Sequence, residues 1–134
     1  MKTTVRAFRV LDSRGVASIE FAIVFPVFLA MVFGIIEISR LIWWQVSLER
    51  AAAVASRCGG VAAADCKTVA QIAAKAAQSA PGLPFVASQF TVLQQSCGIR
   101  VSANVTFEFV TGFLGIPSQQ LKATFCHPLT QNTF

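Results

Sequence analysis

One carboxylate at the edge of an uncharged run is the residue in this 134-residue chain that most needs a partner. Glu20 immediately precedes Phe21 to Ile36, FAIVFPVFLAMVFGII, which carries no charge. In hydrocarbon a carboxylate costs on the order of 2.5–3.5 kcal/mol at mid-depth and less near an edge, so a positive group normally meets it. The other reactive residues are four cysteines, Cys58, Cys66, Cys97 and Cys126, all after the run. His127 is the only histidine and lies between Cys126 and Pro128. Zinc held by the cysteines with His127 is disfavoured, because the C-x7-C spacing is not that of a zinc knuckle. There is no nucleophile–base constellation, no phosphate loop and no paired carboxylates after the run. The expectation is a protein that is not an enzyme and requires neither cofactor nor metal.

These residues depend first on the element that holds Glu20. Counted from Val16, the apolar segment to Ile36 is interrupted only by Glu20. As a helix rising about 1.5 Å per residue it is roughly 31 Å long, the thickness of a bilayer core. The rest of the chain is too small to bury such a helix on every side. Composition agrees: 54% of residues are hydrophobic, only 13% are charged, and mean hydropathy is +0.63. That is too apolar for an ordinary soluble domain and too poor in long apolar runs for a multi-span transporter. The net charge is +5, but Lys2, Arg6, Arg9 and Arg14 lie in the first fifteen residues against Asp12 alone. A basic leader before an apolar span predicts a cytoplasmic N-terminus and an exported C-terminus. Beyond it no basic cluster forms, so nucleic acid is not an expected partner.

The helix should continue past the span to Arg57 and become amphipathic at Glu37. Arg40, Ser47, Arg50 and Arg57 fall on one arc, with Leu41, Leu48 and Ala52 opposite. Glu37 and Arg40 are spaced to pair at i, i+3. Trp43 and Trp44 stand where an interfacial aromatic belt is expected. Cys58-Gly59-Gly60 should end the helix. A short helix fits Lys67 to Ser79, with Val69, Ile72, Ala73 and Ala76 on one face, and Pro81-Gly82-Leu83-Pro84 breaks the chain. The period then becomes two. Ile99, Val101, Ala103, Val105, Phe107 and Phe109 alternate with polar residues, which predicts a half-buried strand. Further strands are expected at Phe90 to Gln95 and Leu121 to Cys126, the last two strands forming a hairpin around Thr111 to Pro117. The fold class is therefore α+β: a long N-terminal helix, a short helix and a small antiparallel sheet.

An even number of cysteines in a small exported domain predicts two disulfides. Free core thiols are the alternative, disfavoured in an oxidising compartment. The expected pairing is Cys58 with Cys66 and Cys97 with Cys126. One detail resists it: Cys97 shares the parity of the apolar face, whereas Cys126 follows that of Lys122 and Thr124. A bulge at Gly98 would repair the mismatch.

The stretch Arg14-Gly15-Val16-Ala17-Ser18-Ile19-Glu20-Phe21 resembles a prepilin cleavage site. The resemblance implies that a prepilin peptidase cuts between Gly15 and Val16, leaving Glu20 as the fifth residue of the mature chain. It also implies a use for the carboxylate. The new amine at Val16 can meet Glu20 of a neighbouring subunit, neutralising both charges and setting the axial register, with Phe21 beside it. From Gly15 to Arg57 the sequence further resembles the TadE-like proteins of tight-adherence pilus systems, with Pro26, Gly34, Glu37 and Arg57 in corresponding places. Pro26 cannot donate to the carbonyl of Ala22, so a kink or loosening is expected there. Gly34 and Ala51 to Ala55 would permit close helix–helix approach, or simply favour helix.

The domains expected are a cytoplasmic leader over 1–15, a long helix over 16–57 (span about 16–36, extension 37–57) and an exported domain over 58–134. The implied function is a minor pilin or pseudopilin, single-pass in a bacterial inner membrane and open to incorporation in an extracellular pilus. It would be a structural subunit supporting assembly, adherence and biofilm formation. Its implied partners are the prepilin peptidase, the membrane, the assembly platform and other pilin subunits, in homo- or hetero-oligomers. The alternative is an uncleaved inner-membrane anchor that scaffolds a secretion or pilus-assembly machine.

Overall fold

The computed structural model describes residues 13–110, 112, 115 and 117–130. In chain order they form helix α1 (Ser13–Gly60), helix α2 (Val69–Gln78), a 3-10 turn (Ala87–Gln89) and strands β1 (Phe90–Gln95), β2 (Gly98–Glu108) and β3 (Ser118–His127). The expected α+β order is present, with a single three-stranded antiparallel sheet in the order β1-β2-β3. The chain divides into two compact units, Met1–Ile35 and Ile36–Phe134.

In the first unit, α1 is helical from Ser13 onward and runs on through Pro26. Its apolar side chains, among them Ile19, Phe21, Ile23, Val27, Phe28 and Met31, are exposed. This stretch contains a window of mean hydropathy 2.5 with none of its residues buried, long and apolar enough to cross a membrane. A helix that is apolar on every side requires a non-aqueous environment or partner helices.

The second unit is built around the remainder of α1. Leu48, Ala51, Ala52 and Ala55 are fully buried, with Leu41 and Trp44 packed partly against the same core. The sheet contributes Phe90 and Val92, then Ile99, Val101, Ala103, Val105 and Phe107, then Leu121 and Ala123. Their alternation is the period-two pattern of the sequence, because successive strand side chains point to opposite faces. The register Phe90↔Ala103 and Ala103↔Ala123 aligns these residues across all three strands. The other face is polar, with Thr124 Oγ1 donating to Ser102 Oγ at 3.3 Å and Gln120 Nε2 to Thr106 Oγ1 at 3.2 Å. α2 adds Ile72, Ala73 and Ala76 to the core, while Val69, expected on that face, is exposed. Its N-terminus lies two residues after Lys67 because Thr68 and Gln71 form a reciprocal capping box.

Both disulfides form as expected, Cys58–Cys66 and Cys97–Cys126. The parity mismatch is resolved without the expected bulge. β1 and β2 pair continuously from Phe90↔Ala103 to Gln95↔Gly98, so Cys97 lies in the two-residue turn rather than on a strand face. Gly98 makes that turn possible. It has φ +119°, and a Cβ there would collide with the carbonyl oxygen of His127.

The expected helix stop also has a different basis. α1 continues through Gly59 and Gly60, neither of which has positive φ. The left-handed residue is Ala62, at φ 49°. The N–H of Ala63 donates to the carbonyl of Cys58 at 3.2 Å, and that of Ala62 to Gly59 at 3.1 Å. This is a Schellman motif with alanine in the place glycine usually takes. The two glycines serve packing instead. A Cβ on Gly59 would lie 2.8 Å from Ile72 Cδ1, and one on Gly60 would lie 2.6 Å from His127 Nδ1.

Candidate assembly site on the N-terminal helix

Gly15, Val16, Glu20 and Phe21 all lie on the first turns of α1 and are exposed. A Cβ on Gly15 would meet nothing within 4 Å, so packing within the chain does not demand glycine there. Glu20 has no salt bridge among the described residues. Phe21 stacks on Phe25 one turn on, with centroids 5.1 Å apart, so the aromatic beside Glu20 continues the apolar surface. The leader residues 1–12 lie outside the described residues.

Where α1 enters the second unit, the carboxylate of Glu37 is buried, its side chain 5% exposed. Arg40 Nη1 donates to Glu37 Oε1 at 3.0 Å, the pair that i, i+3 spacing predicts. The arginine also lies over the Phe107 ring, 5.4 Å from its centroid, a cation–π arrangement. Arg40 is thus folded toward the sheet rather than standing on the solvent arc expected of it. The backbone N–H of Val110 also donates to Glu37, at 3.3 Å to Oε1 and 3.4 Å to Oε2. This contact spans 73 positions and has no local sequence signal. It fixes the chain just beyond β2 to the helix.

The two tryptophans separate. The Trp44 ring stands edge-on to Phe85 and Phe107, with centroids at 5.6 and 5.4 Å, and belongs to the core rather than to an interfacial belt. Trp43 is 64% exposed. The alanines are likewise committed: Ala51, Ala52 and Ala55 are buried in the chain's own core, which leaves them unavailable for packing against another subunit. At the end of α1 the chain is secured twice, by Cys58–Cys66 and by the N–H of Thr130 donating to the carbonyl of Gly60 at 3.1 Å.

Among the described residues no group of acidic, histidine or cysteine side chains could hold a metal ion. The arrangement offers an apolar helix with one edge carboxylate, joined to a domain built around the helix's second half. No curated protein and no solved structure matches the chain. Residues 15–57, most of helix α1, do match a family model, and over that stretch the chain is similar to the TadE-like proteins.

Proposed function

We propose that this chain is a minor pilin or pseudopilin of a tight-adherence, type IV-like pilus, a structural subunit that performs no reaction itself. It is inserted in a bacterial inner membrane with residues 1–15 in the cytoplasm and the second unit exported. A prepilin peptidase cleaves it between Gly15 and Val16. The freed amine at Val16 then pairs with Glu20 of an adjacent pilin subunit, while Pro26 loosens the helix as it packs. Adherence and biofilm formation follow from the assembled pilus.

The observation that carries this reading is an exposed carboxylate at Glu20, with no salt bridge among the described residues, near a glycine at Gly15 that no contact among those residues requires, inside the TadE-like match. A glycine free of steric duty suits a protease that needs access to backbone. A lone carboxylate at the edge of an apolar helix suits a partner supplied on assembly. The disulfides fit an oxidising compartment.

The test is N-terminal sequencing and intact mass of the protein from membranes with and without prepilin peptidase. A chain that begins at Val16 only when the peptidase is present is the expected result. A chain retaining its leader in both would support the uncleaved scaffold instead.

A further inference from the structure

We infer that the outward face of α1 between Ile36 and Val46 is a lipid-contacting surface, so that the base of the second unit lies in the interfacial layer of the membrane. On this face Ile36, Ile38, Ile42, Trp43 and Val46 are 49, 52, 54, 64 and 55% exposed. The opposite face of the same turns, with Glu37, Leu41 and Trp44, is packed into the domain.

Charge marks the extent of the surface. The only charged residues from Phe21 to Val46 are Glu37 and Arg40, and they pair with each other on the domain side. The next charges along the helix, Glu49 and Arg50, are exposed. Of the polar residues here, Gln45 donates to Glu49 and to the carbonyl of Lys122, and a helical Ser39 can bond its own backbone. From Phe21 to Val46 a helix rises about 39 Å, beyond a hydrocarbon core of about 30 Å but within the roughly 40–45 Å that includes the headgroups. Trp43 stands in the part that falls among the headgroups, where tryptophan is favoured.

Residue size separates lipid from a second copy of the chain. Helix–helix seams in membranes favour small residues that let backbones approach. Here Ala51, Ala52 and Ala55 face the domain, and between Ile36 and Val46 the outward side chains are isoleucine, valine and tryptophan with Ser39 as the single small residue among them. Bulky, branched and uncharged side chains are those expected against acyl chains.

The inference rests on the membrane part of the proposed function and not on cleavage or pilus assembly. The chain contains two tryptophans, one outward and one in the core, which supplies its own test. The full chain is reconstituted into phosphatidylcholine nanodiscs whose acyl chains carry bromine close to the headgroup. Tryptophan emission is compared with that in unbrominated discs, for the wild type and for Trp43→Phe. Trp43 is exposed, so its replacement leaves the core intact. The expected result is a loss of emission in the wild type, because an indole at headgroup level lies beside the bromines, and little loss in Trp43→Phe. Equal emission with and without bromine in the wild type would overturn the inference while leaving the span in place. Quenching that persists undiminished in Trp43→Phe would also overturn it. A chain that fails to enter nanodiscs would overturn it together with the membrane reading.

Discussion

Replacing Glu37 by alanine takes away the acceptor for both the Arg40 guanidinium and the Val110 N–H. Arg40 is 40% exposed and water can take over its charge, so the ion pair contributes little by itself. The larger effect is the loss of the hydrogen-bonded tie to the chain beyond β2. We expect Glu37→Ala to destabilise the folded unit by about 1–3 kcal/mol, and Glu37→Gln, which keeps an acceptor, by less. Urea unfolding of the full chain in detergent, followed by Trp44 fluorescence, measures both. Glu20 differs in having no salt bridge among the described residues, and the proposed function gives it a partner on another subunit. Glu20→Gln should leave unfolding unchanged within about 0.5 kcal/mol and leave cleavage intact, yet reduce incorporation into pili, read by immunoblot of sheared filaments. Sequence spacing was sufficient to identify Arg40 as a neighbour of Glu37. It could not identify Val110, because that contact exists only after the sheet has formed.

The end of α1 shows why an element's boundary is harder to read than its existence. Two consecutive glycines suggest a helix stop, but here they are needed where the helix passes Ile72, Ile99, His127 and Pro128. The left-handed position falls on Ala62, which nothing in composition marks. Two opposite outcomes follow. Ala62→Gly should stabilise the unit by about 1 kcal/mol, since glycine adopts the left-handed conformation without steric cost. Gly60→Ala should destabilise it by about 1–3 kcal/mol, because its Cβ would press on the imidazole of His127 and lie 2.9 Å from the carbonyl oxygen of Pro128. Thermal unfolding of the two variants beside the wild type checks both signs. The strands were legible for the opposite reason. Period-two alternation is a local property, and Ile99 to Phe107 carry it without a break. Cys97 misled because a turn residue obeys no strand parity.

For the molecule as a whole, the helix that crosses the membrane-length segment also supplies the core of the second unit. A fragment beginning at Ile36 keeps Leu48, Ala51, Ala52 and Ala55, whereas one beginning at Cys58 has none of them. In detergent, under oxidising conditions, the first is expected to give dispersed amide resonances and two native disulfides, and the second neither. The disulfides close loops with sequence separations of 8 and 29. By chain entropy, Cys58–Cys66 should contribute about 2.5 kcal/mol and Cys97–Cys126 about 3.5 kcal/mol. Paired serine substitutions, compared by denaturant midpoint, test that order. The helix, the short helix, the sheet and both bridges could be anticipated from patterning, but the burial of the alanines against their own domain could not, since alanine is equally suited to a helix–helix seam. That burial has a mechanical consequence. A pull along α1 loads its contacts with the sheet in shear, so Leu48, Ala51, Ala52 and Ala55 must slip together instead of parting one by one. Behind them the Cys58–Cys66 bridge keeps the short segment that follows the helix from extending under load. A chain built this way resists having its sheet drawn off the second half of α1 by a pull along that helix.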